Sequence, residues 1–219
     1  FCSSMPVASS LLYARPSLRA SPMVACDTAD PPPTPPPSPP PSGMTGGPQT
    51  TPVVTQKATS KYGITYSLSV NLKGGAANAY TILGSKGYPL SMPAAWQSPR
   101  GGVSVGGVDP ALWTSYGVTE AQYDSWLTVG LDFDKRKLLS SVGLYASFHA
   151  WSATKGFSVS DGAVFFMNPA NGPKAGKPVL VAQLTVAKGS KNTATLDMAG
   201  RLPNGQTWRN NGIKFVWTG

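Results

Sequence analysis

The stretch NTATLDMAGRLPNGQTWRNNGIKFVW, Asn192 to Trp217, indicates the fold of this chain. Short runs of alternating apolar and polar residues are interrupted by two Asn-Gly pairs, Asn204-Gly205 and Asn211-Gly212. Asn-Gly accepts the positive backbone φ angles that a type I′ hairpin turn requires. We therefore expect a turn at each pair and an antiparallel β-meander in the C-terminal part of the chain.

The same pattern continues upstream as far as Lys61. Short segments rich in β-branched and aromatic residues are separated by glycine-containing turns. One segment, DPALWTSYG, is instead typical of a short helix, with Asp109 as N-cap, Pro110 in the first turn and Gly117 as the stop. This organisation predicts an all-β fold over residues 61–219, an antiparallel, jelly-roll-like β-sandwich with one short helix.

Residues 123–151 are predicted to form a hairpin with two different faces. If residues 134–137 are its loop, the alternation places Leu127 and Leu144 on one apolar face. The opposite face mixes aromatic rings with hydrogen-bonding groups, and that combination can bind sugar rings. If a second sheet covers this face, the same rings are core instead. The residues on this face are Gln122, Asp124, Trp126, Tyr145, His149 and Trp151, with Trp126 beside Tyr145.

The segment GVSVG, residues 102–106, matches the G-x-S-x-G pattern of serine hydrolases, with Ser104 at its centre. Asp132 or Asp134, followed by His149, completes the order Ser, Asp, His. That pattern needs a strand before the serine and a helix directly after it, within an α/β sheet. Because the chain is predicted to be all-β, we interpret the segment as a glycine-rich loop and keep a small serine hydrolase or esterase as the alternative function.

Two carboxylates, Asp132 and Asp134, are predicted on the same side of one strand. Paired carboxylates can hold Ca²⁺ or act as acid and base. The basic run Lys135-Arg136-Lys137 follows directly, and its charge would neutralise them and repel a cation. His149 is the single histidine of the chain, and no Cys/His cluster occurs. We therefore predict no metal site, no cofactor and a domain without catalytic activity.

Basic residues outnumber acidic ones in the predicted domain. From residue 61 onward there are 15 Lys or Arg and 7 Asp or Glu, a net charge of +8. Such a field favours polyanions. The basic residues are scattered except for the triplet Lys135, Arg136 and Lys137, and no nucleic-acid motif occurs. An acidic polysaccharide or a matrix glycoprotein is therefore the expected partner, and neither nucleic acid nor a membrane span is expected.

Residues 1–30 are predicted to be a disordered leader. They are rich in Ser, Ala and Pro and contain no acidic residue before Asp27, as is typical of transit peptides. With Phe1 at the front, this composition resembles the plastid-targeting leaders of red-lineage algae. Both cysteines, Cys2 and Cys26, lie in this segment, so a disulfide framework is excluded for the predicted domain.

The tract DPPPTPPPSPPPSG, residues 30–43, predicts a polyproline II rod, because proline fixes φ and has no N–H to donate. Residues 31–60 as a whole are predicted to be this spacer followed by a flexible hinge. The SPPPS spacing resembles the hydroxyproline-rich linkers of algal and plant extracellular-matrix proteins such as pherophorins and extensins. That resemblance implies a glycosylated spacer that holds a domain away from a cell wall.

These features predict a non-catalytic binding or structural module displayed on a proline-rich spacer. The expected location is extracellular or at the cell surface, with a plastid or another organelle as the alternative.

Overall fold

A computed structural model describes residues 43–219. These residues form two antiparallel β-sheets with few short helices, which confirms the all-β prediction. The predicted leader and the proline tract up to residue 42 lie outside the described residues. No helix within residues 43–219 is long and apolar enough to cross a membrane.

Eleven strands and two α-helices are formed within this part of the chain. The strands are β1 (Thr50–Ser60), β2 (Gly63–Leu72), β3 (Asn78–Leu83), β4 (Leu90–Met92), β5 (Trp126–Leu127), β6 (Leu139–Val142), β7 (Phe157–Val159), β8 (Ala163–Phe166), β9 (Val179–Val186), β10 (Lys191–Arg201) and β11 (Thr207–Thr218). The α-helices are α1 (Pro110–Ser115) and α2 (Tyr145–Ala150), and short 3-10 helices span Thr119–Tyr123 and Pro169–Asn171.

The two sheets share one core. The four-stranded sheet has the order β1-β2-β9-β5, and the seven-stranded sheet has the order β6-β8-β3-β10-β4-β7 with β11 also paired to β10. Leu68 and Leu184 from the first sheet and Leu196 and Phe215 from the second are fully buried in a single apolar cluster. Alternation along the strands therefore buries one face of each sheet against the other.

The two Asn-Gly pairs adopt different structures. Asn204-Gly205 lies in the turn between β10 and β11, where Arg201 pairs with Thr207, as predicted. Asn211-Gly212 remains inside β11, where it forms a bulge opposite Asp197, so the prediction of a second turn is wrong. Gly212 has φ +64° and donates its N–H to Asp197 Oδ1 at 2.8 Å. The positive φ that Asn-Gly permits is thus used for a bulge.

The prediction of a flexible hinge up to residue 60 is wrong for residues 50–60. Residues 50–60 form β1, which pairs with β2 from Thr50 opposite Leu72 to Ser60 opposite Gly63. Threonine and valine favour extended backbone, and β1 is an edge strand, where the missing N–H of Pro52 is tolerated. The folded domain therefore begins before the predicted boundary at residue 61.

The predicted hairpin over residues 123–151 does not form. Trp126 pairs with Gln183 of β9, β6 pairs with β8, and the segment expected as the second strand contains helix α2. Gly130 and Gly143, with φ +76° and +70°, bend the chain away at the two places where a hairpin would need extended backbone. The predicted apolar positions Leu127 and Leu144 are nevertheless in the core.

Candidate functional site

The outer face of the four-stranded sheet forms the floor of a groove. One row of partners crosses all four strands: Thr55 pairs with Ser67, Ser67 with Gln183, and Gln183 with Trp126. Ser69, two residues further along β2, faces the same way, and within residues 43–219 neither serine hydroxyl is hydrogen-bonded to another group. Three interstrand spacings make the floor about 14 Å wide. This floor presents hydroxyl groups to whatever occupies the groove.

Gln183 has a fixed orientation in that floor. Its Nε2 donates to the backbone carbonyl oxygens of Gln122 at 3.0 Å and Asp124 at 2.8 Å. Both amide hydrogens are used in these bonds, so Oε1 is the amide atom that remains to accept a hydrogen bond. The hydrogen bonds that attach the 3-10 helix Thr119–Tyr123 to β9 therefore also orient the side-chain amide of Gln183 in the groove.

The segment between β4 and β6 builds the wall of the groove. Helix α1 begins at the predicted N-cap, where the Asp109 carboxylate accepts the Ala111 N–H at 2.9 Å, which confirms the predicted short helix. This helix contributes Trp113, whose indole Nε1 is buried without a hydrogen-bond partner in the described part of the chain. The volume of the groove is about 580 Å³, within the range of small-molecule sites. The apolar residues that line the groove include Val108, Trp113, Trp126 and Phe133, and the charged ones are Lys57 and Asp132.

Asp124, predicted as a ligand-binding residue, is a buried anchor. Its Oδ1 accepts the Ser98 N–H at 2.8 Å and its Oδ2 accepts the Val103 N–H at 2.7 Å. Burial raises the pKa of this carboxyl from 3.8 to about 6, because desolvation outweighs the backbone hydrogen bonds that favour the charged form. The carboxylate therefore ties the loop over residues 98–103 to β5.

The predicted aromatic face is divided between distant parts of the fold. Trp126 and Gln122 line the groove, whereas Tyr145 and His149 lie on α2, where their rings are 4.4 Å apart between centroids. Tyr145 is 79% exposed, and Trp151 is buried and donates its indole N–H to the Pro93 carbonyl at 2.8 Å. The register that placed Trp126 beside Tyr145 is wrong, because Trp126 pairs with Gln183 of β9 and Tyr145 lies in helix α2.

The residues proposed for the hydrolase alternative are not brought together as a catalytic triad. Ser104 lies in a loop where its backbone carbonyl accepts the Leu127 N–H at 3.0 Å. The Asp134 carboxylate accepts the N–H groups of Leu138 and Leu139, each at 2.8 Å. Within residues 43–219, no hydrogen bond joins Ser104, Asp132 or Asp134 to His149. The strand and helix that flank a catalytic serine in α/β-hydrolases are also not formed around residues 102–106.

The predicted basic triplet is an exposed turn. Lys135, Arg136 and Lys137 are all exposed and follow the Asp134 carboxylate, whose bonds to the backbone N–H groups of Leu138 and Leu139 close the turn. Lys137 has φ +51° and ends this turn. No group of three or more His, Cys, Asp or Glu side chains in the described part of the chain is arranged to hold a metal ion.

Comparison of the chain with protein-family models, with curated proteins and with solved structures found no match. The function of the site therefore has to follow from its own geometry.

Sequence reasoning missed Trp113, Gln183, Ser67 and Ser69. Two signals were present: the serines alternate with apolar residues in TYSLSVNL, and Gln183 is the single polar side chain between Val179 and Leu184. A polar residue on one face of an otherwise buried strand indicates that this face is not fully covered by core. Trp113 carried no comparable signal, because a tryptophan in a short helix is equally suited to a core.

Proposed function

We propose that the domain is a non-catalytic carbohydrate-binding module, displayed on the proline-rich segment that precedes it, and that its ligand is an acidic polysaccharide of a cell surface or matrix. The groove over the four-stranded sheet is the binding site. The observation that carries this proposal is the combination of aromatic walls with a floor of uncommitted hydroxyl groups.

The chemistry of the groove suits a sugar ring. The C–H faces of a pyranose pack on flat aromatic side chains, and its hydroxyl groups need both donors and acceptors. Trp113 supplies a ring, and Gln183 supplies a fixed acceptor. Ser67 and Ser69 can do both, since a hydroxyl group donates one hydrogen bond and accepts others.

The acidic character of the ligand rests on the charge of the domain. Residues 61–219 carry a net charge of +8, and a positive field attracts a polyanion and repels a cationic ligand. The lining itself holds one lysine and one aspartate, Lys57 and Asp132, and is balanced. Attraction at a distance and recognition in the groove are therefore supplied by different residues.

The direct test is a panel of neutral and acidic polysaccharides probed with the full chain and with two variants of the α1 region. Trp113→Ala should lower the affinity for the bound glycan about tenfold or more, because it removes an aromatic wall from the site. Tyr116→Ala is the matched control, since Tyr116 follows the same helix and is 74% exposed outside the groove. Its affinity should be that of the unmodified chain.

Two results would overturn the proposal. The first is unchanged glycan binding by Trp113→Ala, or binding of no member of the panel. The second is covalent labelling of Ser104 by a fluorophosphonate, which would establish the hydrolase alternative.

A further inference from the structure

The groove does not end at the sheet. Pro178, directly before β9, lines the groove and also lines a second cavity of about 500 Å³ beyond it. This second cavity is formed by Gly130 and by the loop over residues 173–178, which contains Lys174 and Lys177. The two spaces are therefore neighbours that share Pro178 as a lining residue.

The second cavity differs from the groove in charge. Its lining contains two lysines and no acidic residue, whereas the groove contains one lysine and one aspartate. Both Lys174 and Lys177 are exposed, and neither takes part in an ion pair within residues 43–219. Two unpaired ammonium groups around one concavity favour an anion there.

We propose that this second cavity is an acid-reading subsite, which holds the carboxylate of a linear uronate polymer whose neighbouring rings lie in the groove. This inference rests on the proposed function and specifies the ligand: an extended, linear chain with an acidic group on its sugar units. A single terminal sugar in the groove would not reach the two lysines of the second cavity.

Geometry favours a chain that runs along the strands. Val53 and Lys57 line the groove from the same strand, four residues apart, which corresponds to about 13 Å of groove length. At the end of the groove that Val53 lines, the proposed ligand path continues past Pro178 to Lys177. Lysine side chains therefore lie at both ends, Lys57 at one and Lys177 at the other, and aromatic and hydroxyl groups line the part between them. A polymer with an acidic group on every unit can contact both ends at once.

The test compares polygalacturonate with its carboxyl-reduced, neutral counterpart, using the full chain. The double variant Lys174→Gln/Lys177→Gln should lose about five- to tenfold in affinity for polygalacturonate, because two partly exposed charge contacts are removed. The dependence of this affinity on salt should become less steep. Affinity for the neutral polymer should not change, since the groove is intact.

A matched control removes the same charge elsewhere. Lys188 and Lys191 are also exposed, and they lie beyond the opposite end of β9, whose eight residues span about 26 Å. Lys188→Gln/Lys191→Gln should retain the full affinity for polygalacturonate. An equal loss in both double variants would mean that only the net charge of the domain matters, and the subsite would be rejected.

The outcomes separate the subsite from the function of the groove. If Trp113→Ala abolishes glycan binding while Lys174→Gln/Lys177→Gln changes nothing, the groove binds glycans and the acid-reading subsite is wrong. If Lys135→Gln/Arg136→Gln causes the loss instead, the anion binds at the basic turn and the inference is also wrong. Failure of polygalacturonate to bind the unmodified chain would overturn the uronate assignment.

Discussion

The two sheets and the connection between β4 and β6, residues 93–138, are held in different ways. The sheets are held by long backbone ladders, such as the ten residue pairs between β10 and β11, and by a continuous apolar core. The connection contains only α1, a 3-10 helix and the two-residue strand β5. It is fastened by isolated backbone hydrogen bonds and by side chains that bind backbone groups, Asp124 and Asp134 among them.

This difference explains where the groove lies. A ladder provides a flat floor with side chains at regular spacing, and the irregular connection provides a wall that is free to take other shapes. The ligand groups of the groove come from both: Ser67 and Gln183 from the ladders, Trp113 and Phe133 from the connection. Changes in the two regions should therefore have different consequences for stability and for binding.

The largest loss of stability is expected within the ladders. Phe215 in β11 is fully buried in the shared core, so Phe215→Ala should lower the free energy of unfolding by about 3–5 kcal/mol through lost burial and a residual cavity. Urea unfolding followed by tryptophan fluorescence measures this change. A loss below about 1 kcal/mol would show that the core is not close-packed at this position.

The next largest effect compares two aromatic residues that the sequence placed side by side. Trp126 is 4% exposed and Tyr145 is 79% exposed. Trp126→Ala should lower the free energy of unfolding by about 3 kcal/mol. Tyr145→Ala should change it by less than about 0.5 kcal/mol. Thermal unfolding of both variants tests this contrast, and similar values would mean that the two rings share one environment after all.

Two glycines test how tightly the connection is fastened. Gly107 has φ +77°, and a methyl group there would overlap the carbonyl oxygen of Asp132. Gly107→Ala should therefore lower the free energy of unfolding by about 2–3 kcal/mol. Gly117 has φ +63° with open space around it. Gly117→Ala should therefore lower the free energy of unfolding by only about 1 kcal/mol, because alanine disfavours a positive φ but meets no clash there. Denaturant unfolding measures both variants. Equal losses of unfolding free energy would indicate that the backbone around Gly107 shifts to accommodate the methyl group.

A further expected effect is a pH dependence from Asp124. Its pKa is about 6 in the folded protein against 3.8 for an aspartate in water, so the folded protein holds the proton more tightly than the unfolded chain. The contribution of Asp124 to stability is therefore fully present below the unfolded pKa of 3.8 and is lost as the pH rises through about 6, a change of about 3 kcal/mol.

Asp124→Asn removes this titration. The free energy of unfolding of the unmodified chain, minus that of the variant, should decrease as the pH rises from about 4 through 6 and become constant above about pH 7. Urea unfolding at several pH values measures the difference. A difference that increases with pH would mean that the two backbone hydrogen bonds, and not burial, dominate the pKa of Asp124.

The sequence was informative where the signal is local. Asp109, Pro110 and Gly117 predicted α1, because capping and helix termination depend on neighbouring residues. Asn204-Gly205 predicted the last hairpin for the same reason. Asn211-Gly212 has the same chemistry and became a bulge, since a positive φ is compatible with both and the partner strand decides between them.

Of the candidate site, the sequence placed Trp126 and Gln122 on one face only by way of a wrong hairpin, and it singled out Asp132 only as one of a pair of carboxylates. The all-β class, the basic charge and the short helix α1 were determined by the amino-acid sequence itself, because composition, alternation and capping do not depend on distant contacts. Tertiary structure alone decided that β9 separates β5 from β2, which placed Gln183 beside Trp126. Such pairing joins residues far apart in the chain, and many alternative partners satisfy the same alternation, so only the packing of the whole core selects one of them.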